Sequence, residues 1–323
     1  MPSRNLFQYL IITAKGLAMG AADVVPGVSG GTIAFISGIY EELIETIHKL
    51  DFGFLKSWKK DGFLAAWNNY NLIFLLALFS GITISILSLA KLITWLLSNH
   101  PILVWSFFFG LVLASILYVG KQITKWQIGT VISLIIAAAL SYAITLAKPI
   151  GDTGSTWFLF FAGFIAIIAM ILPGISGAFI LLLLGAYKSI IGTITQLGDG
   201  ITGLNWNIFS EAFLKLCVFA IGAIVGLKVF SRILNWMFKH HKNLILAVLT
   251  GFMVGALNKI WPWKEVIEYR INHSGERTPL IEKSILPSNY DGDSLVIYAV
   301  IFTILGFLSI FILERLAVNK NPS

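Results

Sequence analysis

The chain has 323 residues, of which 57% are hydrophobic and 12% charged, with a mean hydropathy of +0.84. Soluble globular domains run close to half apolar and about a quarter charged, so this composition excludes a cytosolic enzyme, a nucleic-acid binder and a disordered chain, and defines an integral membrane protein. The net charge of +7 carries no functional weight by itself, because basic residues gather on cytoplasmic loops of membrane proteins whatever those proteins do.

In chain order, the N-terminal MPSRNLFQYLIITAKG has a basic start and a short apolar run, but no small-residue cleavage site follows before Asp23. It reads as part of the mature protein. A helix needs about 20 mostly apolar residues to cross the hydrocarbon. Residues 72–97, 102–120, 127–147, 213–238 and 294–314 meet or approach that length, and 243–260 is a shorter sixth. Two further apolar regions, 6–45 and 157–192, are too long for one crossing. Each is interrupted by Pro-Gly, at Pro26-Gly27-Val28-Ser29-Gly30-Gly31 and Pro173-Gly174-Ile175-Ser176-Gly177-Ala178. Proline lacks an amide hydrogen and glycine supplies the dihedrals of a tight reversal, so each region is expected to be a helical hairpin folded at its middle, either re-entrant or fully spanning. Such a break is tolerated at membrane depth only inside protein or beside water. The single Cys217 lies in an apolar run, which leaves no disulfide framework, zinc site or CxxC pair, and no metal or cofactor is expected.

The two broken segments are copies. At an offset of 147, residues 26–44 match 173–191 at Pro26/Pro173, Gly27/Gly174, Ser29/Ser176, Gly30/Gly177, Ile33/Ile180, Gly38/Gly185, Tyr40/Tyr187 and Ile44/Ile191. Downstream the offset becomes 141, pairing Gly81/Gly222, Lys91/Arg232, Trp95/Trp236, Leu103/Leu244 and Gly110/Gly251. The expected fold is therefore an all-α membrane protein of two repeats, 1–148 and 149–323, each a broken hairpin plus three spans. A hairpin and three crossings make an odd number, so the repeats should be inverted. With the N-terminus inside, the inner segments carry Arg4, Lys49, Lys56, Lys59, Lys60, Lys121, Lys125, Lys239, Lys242, Arg315 and Lys320, whereas the short outer loops carry Lys148 and Lys188. The long loop 259–293, which opens on Trp261-Pro262-Trp263, balances five basic residues with six acidic ones. That asymmetry is the one the positive-inside rule requires, with the C-terminus also inside and the aromatic pair as an interfacial anchor. Inverted repeats with broken helices at the midplane belong to alternating-access transporters.

Where a helix restarts after the break, unpaired amides and the helix dipole favour an anion. Two such starts, with Ser29, Gly30, Gly31, Thr32, Ser176 and Gly177, form one candidate anion site; the alternative is that small residues serve close packing alone. Lys91 and Arg232 sit inside apolar spans at equivalent positions and are candidates to receive the anion on either face, with snorkelling to the interface as the alternative. Lys215 and Lys228, near Arg232, are read as snorkelling. Asp23, three residues before Pro26, aligns with Met170 in the repeat and is a candidate proton carrier; a helix cap or an ion pair with Lys15 would also account for it. Glu41 and Glu42 read as solvated helix ends. Gly27-Val28-Ser29-Gly30-Gly31 matches the G-x-S-x-G nucleophile pattern, but His48, His100, His240, His241 and His273 all fall in loops or at span ends, so no buried base is available and no catalytic residue is expected.

The motifs GAADVVPGVSGGT (20–32) and ILPGISGAF (171–179) resemble those of the bacterial polyprenyl-phosphate transporter family, and the resemblance covers nearly the whole chain. It implies movement of undecaprenyl phosphate, the lipid carrier of envelope synthesis, from the outer to the cytoplasmic leaflet of the bacterial inner membrane. Its partners would be that lipid, the surrounding membrane, and protons or another coupling ion. The second motif departs from the first at Ala178 and Phe179, which stand for Gly31 and Thr32, so unequal half-sites are expected, with the first hairpin holding phosphate more tightly. A small-anion channel or exchanger is the competing reading, and a scaffold the third.

Overall fold

The computed structural model describes residues 4–25, 28–51, 53–149, 155–271 and 277–318. The first half comprises α1 (Leu6–Val24), α2 (Gly30–Ile36), α3 (Tyr40–Lys49), α4 (Gly53–Asp61), α5 (Phe63–Asn69), α6 (Leu72–Asn99), α7 (Pro101–Lys121) and α8 (Ile128–Leu146). The second comprises α9 (Thr156–Ile171), α10 (Gly177–Leu183), α11 (Ala186–Thr202), α12 (Trp206–His240), α13 (Lys242–Ala256), strands β1 (Lys264–Ile271) and β2 (Arg277–Ser284), and α14 (Val296–Val318). The chain is predominantly helical, and α6, α7, α8 and α12 are long and apolar enough to cross a membrane.

Local chemistry sets the helix ends. Asn5 and Gln8 form a reciprocal capping box on α1, Pro101 occupies the first turn of α7 where no amide is needed, and Asn205 caps α12. A single histidine links α6 to α7 and another links α12 to α13. His100 and His241 stand at the same repeat position and share one backbone conformation, φ −136 with ψ 50 and 49.

Four helix pairs carry the packing: α1 with α6, α9 with α12, α7 with α14, and α8 with α13. Each crossing is close because glycine faces a neighbouring carbonyl. A side chain at Gly16 would collide with Leu78 O and one at Gly81 with Thr13 O; at the matching positions, Gly163 would collide with Phe219 O and Gly222 with Phe160 O. Gly110 and Gly251 likewise press against Thr303 O and Leu134 O. The α7–α14 and α8–α13 pairs join the first half of the chain to the second, so packing does not divide the chain at 148/149.

The helical membrane architecture is as expected, and loop 259–293 adds to it an antiparallel two-stranded sheet with Lys264 opposite Ser284 and Ile271 opposite Arg277. In KEVIEYRI the β-branched and aromatic residues favour strand, and Ile267-Glu268-Tyr269-Arg270-Ile271 alternates apolar with polar at a period of two. Each broken segment also has a second turn. After the Pro-Gly break the chain returns for only seven residues in α2 and in α10, then turns again at Gly38 and Gly185, both at φ +71. At this second turn α11 swings 104° away from α10. Seven helical residues span about 10 Å, so the returning arm is too short to cross the hydrocarbon.

Candidate functional site

The two Pro-Gly tips meet inside the protein. Pro26 and Gly27 lie outside the described residues; Val28 onward and the whole second tip are described. Gly174, with φ +88, carries the reversal of the second tip, and its amide donates to Thr32 Oγ1 at 3.1 Å. Ser29 Oγ donates to Met170 O at 3.3 Å and Tyr40 Oη to Ile171 O at 3.2 Å. Gly31 has no room for a side chain, since one would sit 2.7 Å from Ile171 O. The duplicated motifs thus converge, stitched by hydroxyl and amide groups of one on the backbone of the other. Ser29, Thr32, Tyr40 and Ser176 are all buried.

The donors of the two tips are used unequally. In the first, Asp23 Oδ1 accepts from Gly30 N at 2.6 Å, Ser29 Oγ accepts from Gly31 N at 3.1 Å, and Ser29 O accepts from Thr32 N at 2.9 Å. Ser29 is the N-cap of α2, and Asp23 engages one further first-turn amide. In the second tip Ser176 makes no cap bond, and Met170 stands where Asp23 would. The first-turn amides of Gly177, Ala178 and Phe179 have no hydrogen-bond partner among the described residues. Open donors therefore belong to the second tip, whereas the first, expected to hold an anion more tightly, has its donors engaged.

Lys91 and Arg232 are not at this junction. Both are exposed on the outside of the bundle, Lys91 on α6 and Arg232 on α12, and neither lines a cavity described below. Lys15 Nζ donates to Ser37 O at 2.5 Å, holding α1 to the end of α2. Lys228 does not snorkel freely: its ammonium donates to Ile47 O and His48 O at 3.0 Å and to Leu50 O, closing the C-terminal end of α3. Glu41 and Glu42 are engaged too, Glu41 with Lys242 at 2.8 Å and Glu42 with both guanidinium nitrogens of Arg4 at 2.5 and 2.7 Å.

A cavity lies at each end of α13. At its start, where Thr124 just past α7 donates to Asn243 Oδ1, a cavity of about 620 Å³ is lined by Phe35, Gly38, Tyr40, Glu41, Tyr118 and Lys121 among others. At its other end, a cavity of about 390 Å³ is lined by residues that include Thr145, Phe179, Leu182, Asn258, Lys259 and Glu282. Phe35 and Leu182 occupy one repeat position, as do Tyr118 and Lys259. Equivalent segments therefore line the two cavities. The β-hairpin roofs the smaller one: Glu282 Oε2 lies 3.3 Å from Lys259 Nζ and 3.8 Å from Lys264 Nζ. Lys264 Nζ sits 3.4 Å over the Trp105 ring, with no hydrogen-bond partner in the described structure. Lys259, Lys264 and Glu282 were not apparent as site residues in the sequence. The one available signal was the pairing of Lys259 with Tyr118 by repeat offset, in a loop that looked charge-balanced.

Paired broken helices from two related halves, joined at a buried point between cavities, define a multi-pass membrane protein of the transporter class. Comparison with known proteins narrows this. The chain belongs to the VCA0040-like family, described as undecaprenyl phosphate translocase-like, whose model matches residues 19–278. It is 45% identical over 283 residues, 88% of this chain and 87% of the relative, to a polyprenyl-phosphate transporter of Vibrio cholerae serotype O1. It is 34% identical over 261 residues, 77% of this chain and 84% of the relative, to a polyprenyl-phosphate transporter of Staphylococcus aureus. The family is one of transporters, not enzymes. No solved structure matches.

Proposed function

We propose that this protein carries undecaprenyl phosphate from the outer to the cytoplasmic leaflet, returning the lipid carrier for envelope synthesis, with the phosphate passing between the two Pro-Gly tips while the tail stays in lipid. The observation that carries this reading is the meeting of the tips, Thr32 against Gly174 and Ser29 against Met170, between two cavities lined by equivalent segments. The names of the relatives supply the substrate class.

Inverted repeats are supported by the equivalent helices α7 and α13. The end of α7 reaches the start of α13 through Thr124 and Asn243, and the start of α7 reaches the residues after α13 through Trp105 and Lys264. They run antiparallel, as two copies of opposite topology would. The basic residues Lys121, Lys125, Lys239 and Lys242 and the Arg4–Glu42 pair lie at the end of the bundle away from the β-hairpin, which fits a cytoplasmic assignment for that end and an inner-membrane location. The short returning arms α2 and α10 support re-entrant hairpins.

In this mechanism the phosphate meets the open amides of Gly177, Ala178 and Phe179, with the Ser176 hydroxyl beside them. It then reaches the donors of Ser29–Thr32 once they leave their present partners. Proton uptake by Asp23 would weaken its bond to Gly30 N and release that donor, a coupling role consistent with an acid at one tip only. Lys91 and Arg232, being exposed, fit a snorkelling role at the rims.

The test is a leaflet-access assay. Purified protein in liposomes containing undecaprenyl phosphate is challenged with an external, membrane-impermeant phosphatase. Consumption of the whole lipid pool, against about half in protein-free vesicles, is expected, with no accompanying chloride flux. Protection of the inner half in both preparations overturns the reading; chloride flux without lipid movement selects the anion channel.

A further inference from the structure

We propose that the cavity beneath the β-hairpin is the loading site for a lipid phosphate monoester, gripped by Lys259 and Lys283 and released from competition by Glu282; this deepens the transport reading above and rests on it. The charges in and behind the lining are unbalanced. Lys259 and Lys283 border the cavity with Glu282 as their one carboxylate, and Lys264 stands immediately behind it. Lys259 and Lys264 approach the same oxygen, Glu282 Oε2, at 3.3 and 3.8 Å, so neither has a carboxylate to itself. The Lys264 side chain is 7% exposed and its ammonium has no hydrogen-bond partner among the described residues. A buried cation short of a partner draws in an anion or claims an existing one. An incoming phosphate can take Lys259, and Glu282 is then left to Lys264. The exchange leaves no charge uncompensated.

Shape selects a lipid over a free ion. The lining includes Tyr142 and Leu146 at the end of α8, 49% and 60% exposed on the outside of the bundle, so one wall of the cavity is shared with the outward face of an apolar helix. A head group can enter there with its chain trailing past Leu146. Its volume of about 390 Å³ equals that of about 13 waters in the liquid, ample for a phosphate and residual hydration. On the inner side the lining ends at Phe179, in the first turn of α10, whose ring lies 4.8 Å below Lys259 Nζ. A phosphate held by Lys259 is thereby placed next to the second Pro-Gly tip. At the opposite cavity the carboxylates Glu41 and Glu42 each have their own cation, Lys242 and Arg4, so neither is shared between two lysines as Glu282 is.

The experiment measures binding of undecaprenyl phosphate to the full chain in nanodiscs, with inorganic phosphate as competitor, for wild type, Lys259→Gln, Lys283→Gln, Glu282→Gln and Lys259→Arg. Loss of a charge-assisted contact is expected to weaken binding about tenfold or more in the two lysine-to-glutamine variants. Lys259→Arg should retain most of it. Glu282→Gln should bind more tightly than wild type, a gain that misfolding cannot produce. Lipid binding by wild type that none of these substitutions changes overturns the loading site and leaves the transport reading intact. Absence of lipid binding in wild type overturns both. Inorganic phosphate that binds as tightly as the lipid phosphate overturns the choice of a lipid ligand.

Discussion

Lys264 gives the most direct quantitative test of how the β-hairpin is held. Burial lowers its pKa from 10.5 to about 7, with Glu282 opposing the shift and Lys259 adding to it. At about 1.36 kcal/mol per pH unit, that displacement sets a ceiling of roughly 5 kcal/mol on the cost of docking the charged form. The realised gain on replacing a buried charge with an apolar side chain is about 1–4 kcal/mol. The sign follows from proton counts. Below pH 7 the ammonium is charged whether the hairpin is docked or not, and the burial cost is present in full. Between 7 and 10.5 the undocked hairpin holds a proton that the docked one lacks, so docking strengthens as pH rises, then levels off above 10.5. Lys264→Met keeps the length and the contact with Trp105 but removes the charge. Hydrogen exchange of the β1 and β2 amides, corrected for intrinsic rates, should show slower opening in the variant than in wild type at pH 6. The two should converge near pH 10. Faster opening of the variant at pH 6, or a wild type without a pH slope between 7 and 10, would refute the reasoning.

Thr32→Val keeps shape but removes the acceptor of the Gly174 amide, and should destabilise the junction by about 1–3 kcal/mol while Thr32→Ser is tolerated; thermal unfolding in micelles distinguishes them. Gly222→Ala drives a methyl into Phe160 O and should cost about 1–3 kcal/mol, with Gly81→Ala costing a similar amount against Thr13 O in the same assay. Lys228→Met removes the cation from three carbonyls at the end of α3 and should loosen α3 by about 1.5–3 kcal/mol, read as faster amide exchange in residues 44–51.

The spans were legible because lipid-facing helices are written in uninterrupted apolar runs: 72–97 became Leu72–Asn99 and 127–147 became Ile128–Leu146, each within two residues. The convergence of the tips followed from the duplicated Pro-Gly motif, since sequences at 26–31 and 173–178 that match at four of six positions imply one junction built twice. Use of the donors there was not legible. Whether Ser29 and Thr32 face a ligand or another backbone depends on which segment lies opposite, and that is a tertiary fact carried by Met170 and Gly174. The second turn could have been inferred from Gly38/Gly185, a matched glycine pair seven residues beyond the break, but an apolar run on both sides concealed it. Exposure separates Lys91 and Arg232 from the cavities, and hydropathy cannot say which face of a uniformly apolar helix a cation occupies. The β-hairpin was hidden because mixed charge in a long loop resembles a solvated linker.

The glycine seam between α7 and α14 also bears on biosynthesis. Gly110 reaches the membrane about 190 residues before Thr303, the residue whose carbonyl it meets, has been synthesised. At about 5–20 residues per second, the exposed seam waits roughly 10–40 s. For that interval α7 presents a small-residue surface suited to any passing helix. The last helix to be inserted therefore closes the first half of the molecule. A ribosome that stalls after residue 290 would release an unfinished pair of halves, open to quality-control proteases and to mispairing with its neighbours.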